Sequence, residues 1–316
     1  MCRRVGVACG ALTSGLSAGI LLGSVIATAV NLHYGPAGVE THGWRMPFIL
    51  GGVFGLFAVL LRRYLPETPV FEGLRTRRES SSELPIKSVL RGHLPAVAIS
   101  MPVTWVLTAA IVVVILMTPT LIQKLYGIAP ATALRANIAA TLALTLSCIA
   151  VGALGDRFGA ARVFLVGCLG LLASTYMLYL GLRGHAGLLL PMYACAGLFV
   201  GIIGAVPSII VSLFPAPVRF IGLSFSYNVS YAVFGGATPP LIAALLRLSP
   251  LAPAHYVGLV AVIGVLGAFA LLSWMEGEEG PCTGIRDVGQ RALKFIHSIG
   301  SRRIVRCVSP ATATTC

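Results

Sequence analysis

One acid and two arginines stand close together in Gly155-Asp156-Arg157-Phe158-Gly159-Ala160-Ala161-Arg162, a short break between two long apolar runs. So short a connection holds Asp156, Arg157 and Arg162 near helix ends, where opposite charges pair in one arrangement and separate in another. A second group of polar side chains lies inside apolar runs. Tyr227 and Tyr231 are four apart and share a helical face, and Asn228 between them offers both donors and acceptors. Thr104, Trp105 and Asn137 occupy comparable positions in earlier runs. Arg135 suits a carboxylate arriving from outside, or an anchor at the membrane interface. All of these are candidate substrate contacts, and interhelical hydrogen bonding is the competing role for each.

Other chemistry is missing its reagents. No nucleophile sits beside a base, and no G-x-x-x-x-G-K, H-E-x-x-H or repeated aspartate motif occurs, so no catalytic residue is assigned and a membrane enzyme is the weakest reading. The eight cysteines form no C-x-x-C pair and do not cluster with histidine, which argues against a metal site, and no cofactor is expected. Cys148, Cys168 and Cys195 lie in apolar runs, where a free thiol behaves as a small hydrophobe. None of the ten acids or six histidines falls in the middle of a run. That matters for any proton-coupled role, because ionisable groups inside the membrane are what mark a proton relay.

The elements that would position these residues follow from composition. Of 316 residues 57% are hydrophobic and 10% charged, and the mean hydropathy is +0.90. Soluble domains carry about 25% charged residues, and a membrane helix needs about 20 mostly apolar ones. Apolar runs at about 11–31, 44–64, 94–121, 132–154, 162–182, 187–213, 219–246 and 255–275 predict eight helices of an all-α polytopic bundle. Arg3, Arg4 and the first run imitate a secretory signal, but Gly10, Gly15, Gly19 and Gly23 interrupt it, so a retained span is expected.

The formal charge of +13 also reads as topology rather than as a nucleic-acid face. If eight helices alternate, eighteen Lys and Arg fall on the side of both termini and five on the other, which predicts cytoplasmic ends in a cell (inner) membrane. Residues 1–64 then hold two helices, 65–92 a charged cytoplasmic loop, 93–275 six helices and 276–316 a basic tail. In the tail Ile285, Val288, Ala292, Ile296 and Ile299 recur at helical spacing, which fits an interfacial helix on lipid or a disordered tail. Ala11, Gly15, Gly19, Gly23 and Ala27 form a small-residue stripe expected to pack against another helix, as does Gly197-x-x-x-Gly201 with Gly204. Pro102, Pro207, Pro239 and Pro240 permit bends within spans.

The 155–162 loop resembles the G-D-R-x-G-R-R loop signature of the major facilitator superfamily, with Ala160 and Ala161 where arginine is common. Gly43-Trp44-Arg45-Met46-Pro47-Phe48 leading to Arg62-Arg63-Tyr64-Leu65-Pro66-Glu67-Thr68-Pro69 is similar to the sixth helix and following loop of its metabolite:proton symporters. Arg219 through Asn228 and Phe234-Gly235-Gly236-Ala237-Thr238-Pro239 resemble their eleventh helix. The resemblance covers about 11–275. It implies a partial major-facilitator fold beginning at the family's fifth helix, and a latch of Gly155, Asp156, Arg157, Gly159 and Arg162. It also implies a secondary transporter moving a small organic acid or zwitterionic osmolyte, such as proline, betaine, alpha-ketoglutarate, citrate or shikimate, with a proton. The partners expected are thus a metabolite, a proton and the lipid bilayer, with oligomeric state open. Two helices plus six do not make two matching halves, so a transporter fragment inactive by itself is the alternative.

Overall fold

The computed structural model describes residues 4–64, 93–214 and 218–276, all helical apart from short turns. The expectations for the 65–92 loop and the basic tail lie outside the described residues. Eight helices follow in chain order. The first is α1 (Val5–Gly38), and a π-helical turn (Val39–Gly43) leads to α2 (Arg45–Arg62). Next comes α3, built from Leu94–Ala109, a π segment Ala110–Met117 and Thr118–Tyr126, and then α4 (Pro130–Phe158) and α5 (Ala160–Gly184). Leu189–Val200, the 3-10 turn Gly201–Gly204 and Val206–Leu213 make up α6. Arg219–Ser230, Tyr231–Gly235 and Gly236–Leu245 make up α7, and α8 is Ala252–Glu276.

Seven of these are long and apolar enough to cross a membrane. The exception is α7, which the sequence also marked as a span. Ser224, Ser226, Tyr227, Asn228, Ser230 and Tyr231 crowd its first half and lower its hydropathy, although the helix is continuous.

Helix ends sit where the turn residues require. Gly127 closes α3 in the left-handed region at φ 65°, its N–H donating to Gln123 O at 3.1 Å. Pro130 opens α4, where a missing N–H costs nothing.

Packing centres on α4. Its most extensive contact is with α1, and it also packs on α6. The two chains of α1 and α4 run antiparallel and nearly touch, because Gly6 and Gly10 lie against the backbone of Gly152 and Cys148, where no Cβ fits. Ser14 Oγ donates to Thr145 O at 2.9 Å in the same seam. Among the described residues the stripe read from sequence is therefore not the face that packs. Gly15, Gly19 and Gly23 have open space around them, and the face that packs carries Gly6, Gly10, Ser14, Ser17, Ser24 and Thr28. The expectation for α6 holds, since Gly197, Gly201 and Gly204 admit the main chain or side chains of Ala140, Ser147 and Cys148. By contrast α2 buries none of its side chains.

A Cβ at position 197 would meet the Ala140 backbone, which cannot retreat as a flexible side chain can. Gly197→Ala is expected to cost about 1–3 kcal/mol by overpacking. Gly15→Ala, in open space, is expected to be neutral or stabilising through helix propensity. Thermal unfolding of the two variants in detergent measures the contrast, and equal midpoints would contradict the packing described.

Candidate functional site

Three polar clusters interrupt the apolar bundle. The first is at the α4–α5 connection. Here α4 ends at Phe158 and α5 begins at Ala160, so Gly159 alone turns the chain, at φ 93°, a conformation that side chains other than glycine's resist. The abrupt turn leaves Asp156 in the last turn of α4 facing the start of α1. Its Oδ1 accepts the Gly6 N–H at 2.6 Å and its Oδ2 the Val7 N–H at 2.9 Å. The first N–H groups of a helix have no partner within it. Asp156 satisfies two of them as an N-cap does, from 150 residues away, and its charge complements the positive end of the α1 dipole. Arg157 does not pair with this carboxylate, and its guanidinium lies 5.3 Å from the Phe158 ring centroid. Gly155 is in the same last turn, and Arg162 lies exposed in the first turn of α5.

Asn137 organises the second cluster, buried inside the α1–α4–α6 junction. It donates from Nδ2 to Ser24 Oγ at 3.0 Å, and its Oδ1 lies 2.7 Å from the donating Tyr193 hydroxyl. That hydroxyl is also 2.7 Å from Val114 O. Val114 lies in the π segment of α3, where the wider turn releases carbonyls from the helical ladder. Another released carbonyl, Val113 O, accepts Thr118 Oγ1 at 2.8 Å. Asn137 thus joins four helices, in the bonding role that competes with substrate contact.

The third cluster lies between α3, α7 and α8. Trp105 stacks on Phe234, centroids 4.3 Å apart and planes 7° apart, and its Nε1–H donates to Tyr256 OH at 2.9 Å. Tyr256 OH is in turn 2.7 Å from Thr238 Oγ1. Further along α7, Tyr227 and Tyr231, half-buried against the core, stack on each other with centroids 5.2 Å apart. Asn228 is exposed and donates from Nδ2 to Ser224 O at 2.8 Å, within its own helix. On the inner face Ser226 and Ser230 are fully buried, and their hydroxyls have no partner among the described residues. The adjoining helix α3 buries Ser100, Thr104 and Thr108, each donating to its own backbone.

The candidates from sequence therefore separate. Trp105 meets α7, Tyr227 and Tyr231 meet each other, Asn228 stands apart on the same helix, and Asn137 belongs to a different junction. Arg135 is exposed near the start of α4, roughly 30 Å along the axis from Asp156. Sequence reasoning did not single out Ser24, Tyr193, Tyr256, Thr238, Ser226 or Ser230. For the last pair the signal was available, since two serines four apart in an apolar run share a face.

A bundle in which seven helices are long and apolar enough to cross a membrane defines a polytopic membrane protein. The profile of the Major Facilitator Superfamily matches residues 3–240, and the chain belongs to that family. It is similar to the ectoine/proline transporter ProP of Corynebacterium glutamicum, 29% identical over 276 residues, 82% of this chain and 54% of that one. A Staphylococcus aureus protein provisionally named as a proline/betaine transporter is 27% identical over 264 residues, 81% of this chain and 56% of its own. The citrate-proton symporter of Klebsiella pneumoniae is 26% identical over 252 residues, 78% of this chain and 56% of its own. The relatives thus belong to the metabolite:proton symporter branch, and the chain spans about half their length.

Removing Asn137 breaks the side-chain bridge from α4 to α1 and α6 and leaves Tyr193 and Ser24 only the backbone acceptors Val114 O and Ile20 O. Asn137→Ala is expected to cost about 0.6–2 kcal/mol, the range for hydrogen bonds between membrane helices. Asn228→Ala, whose bond is local and exposed, is expected to leave the unfolding midpoint unchanged. Thermal scans of both variants in detergent check this, and an unaltered midpoint for Asn137→Ala would refute the bridging role.

Proposed function

We propose that this chain is the larger part of a proton-coupled symporter for a small organic acid or zwitterionic osmolyte, working by alternating access. The observation that carries the reading is the pair of hydrogen bonds from Gly6 and Val7 to Asp156. They join elements on either side of the 65–92 segment by contacts that break without disturbing either helix, which is what a rocking transporter needs at one mouth of its cavity. In this reading Asp156 and Arg157 are the latch, Gly155 and Gly159 shape it, and Arg162 flanks it. Residues 1–64 belong to one half and 93–275 to the other, with 65–92 between them and 276–316 as a tail.

Asn228, Tyr227, Tyr231 and Trp105 are the proposed substrate contacts on α7 and α3, with Arg135 drawing a carboxylate from the far side. Asn137 keeps the structural role its bonds give it. No Asp, Glu or His of residues 1–316 falls in mid-span, so the proton-carrying group is assigned to the part of the relatives' length that this chain does not span. Residues 1–316 alone are accordingly expected not to accumulate substrate against a gradient. This second reading, a fragment inactive by itself, is favoured by the 54–56% coverage of the relatives.

Uptake of labelled proline, betaine, ectoine and citrate into cells without competing carriers tests both readings. The first four helices of the Corynebacterium glutamicum relative, joined to residues 1–316, are expected to give accumulation that a protonophore abolishes. Failure with every substrate, when the hybrid is inserted and stable, would sink the symporter reading. In an active hybrid Asp156→Asn is expected to slow transport while sparing substrate affinity, because one charged cap, worth about 0.5–2 kcal/mol, is weakened on one side of the conformational equilibrium. An unaltered rate would remove the latch.

The basic asymmetry places both termini in the cytoplasm in this reading. In a cysteine-free background, Arg219→Cys is expected to be protected from an impermeant maleimide in intact cells and Arg183→Cys to react. The reverse pattern would invert the topology.

A further inference from the structure

We propose that the cleft between α4, α5 and α6 is a binding site for one acyl chain of an anionic phospholipid, whose phosphate is held by Arg162 with Arg157 beside it. The cleft has a volume of about 710 Å³, within the range of about 300–1,000 Å³ that encloses small ligands. It is long rather than round. Along α4 alone its wall runs from Ala143 to Phe158, about 22 Å at 1.5 Å per residue, and so reaches deeper than one leaflet of a hydrocarbon core about 30 Å thick. The wall consists of side chains such as Leu146, Leu154, Val166 and Leu198, all of which remain exposed. Its floor is built by absence: Gly167 of α5 has no Cβ, and Ile202 of α6 occupies the space a Cβ would need.

The one charged residue of the lining is Arg162, at the same end as Phe158. Among the described residues its guanidinium makes no hydrogen bond. Arg157 lies over the Phe158 ring at this mouth, 5.3 Å from its centroid. The neighbouring acid does not neutralise the pair locally, because the Asp156 carboxylate is turned to the N–H groups of Gly6 and Val7. An apolar slot longer than one leaflet, whose mouth carries two guanidinium groups that meet no acid among the described residues, has the charge and shape of a phospholipid with an anionic head. A zwitterionic head would bring its own cation to the arginines.

Native mass spectrometry of purified residues 1–316 in detergent, with phosphatidylglycerol, phosphatidylcholine or inorganic phosphate added separately, tests the site. One phosphatidylglycerol per chain is expected, retained about five- to thirtyfold better than phosphatidylcholine, from about 1 kcal/mol for each of one or two arginines near an anionic head. Arg162→Gln is expected to reduce that preference while leaving phosphatidylcholine retention as it was. Ala150→Trp, which fills the cleft from α4, is expected to remove the specific adduct with an unchanged unfolding midpoint. Equal retention of the two lipids, or an adduct indifferent to Ala150→Trp, would overturn the proposal. So would inorganic phosphate binding with the same affinity, which would make this a plain anion site. None of these readouts depends on transport, so failure here leaves the symporter reading intact and the reverse also holds.

Discussion

The antiparallel seam between α1 and α4 is the contact on which the rest of the described bundle depends. It is held by backbone approach rather than by large apolar side chains, with Gly6 and Gly10 against Gly152 and Cys148. In lipid there is no hydrophobic force between two apolar helices, so association rests on close van der Waals contact and on hydrogen bonds that the close approach permits. Both are present. Ser14 bonds Thr145 O and Ser24 bonds Asn137 along the seam, and Asp156 caps α1 at its end. Each bond reaches its partner only because the backbones are near, so the glycines set the geometry that the polar groups then use.

The helices were legible in the sequence because a bilayer imposes a length and an apolarity that composition records directly. One boundary was legible where a residue has a single conformational reason to be there, as at Gly159 in the 155–162 break. Which face of a helix packs was not legible. The four-residue repeat of Ala11, Gly15, Gly19, Gly23 and Ala27 fits close approach as well as the face that is used, and the choice is made by the partner, here Gly152 and Cys148 of α4. The α1 cap was hidden for a related reason. Its donors are the backbone N–H groups of Gly6 and Val7, which no residue type announces.

Helix α7 shows the opposite case, in which polar sequence marks a real departure from an ordinary span. An unbonded hydroxyl inside a protein costs free energy, and most such groups find a backbone acceptor one turn back, as Thr104 and Thr108 do. Ser226 and Ser230 do not. Directly after them the helix widens into the π segment Tyr231–Gly235, a feature that often accompanies functional positions. The matching π segment of α3 spends its freed carbonyls on Tyr193 and Thr118. The π segment of α7 likewise gives Phe234 O to Thr238 Oγ1, so the two helices share a device, and in α7 it adjoins the two hydroxyls left without a partner among the described residues and the positions Tyr227, Asn228 and Tyr231.

The loop at 155–162 divides its charges by the solvent each can reach. An aspartate at the end of α4 competes for the nearest positive group, and the arginines that follow it in sequence are the obvious partners. A helix N-terminus offers two N–H donors at fixed positions together with a favourable dipole, whereas an arginine must give up side-chain freedom to hold one geometry at an exposed site, where ion pairs are worth about 0–1 kcal/mol. The preorganised partner wins, so Asp156 turns inward to α1 and Arg157 is left to Phe158. The two charges of the Asp156–Arg157 pair are thereby held by different partners. A rearrangement that pulled α1 away would free the carboxylate beside Arg157, so the net charge presented by the 155–162 loop is coupled to the seam between α1 and α4.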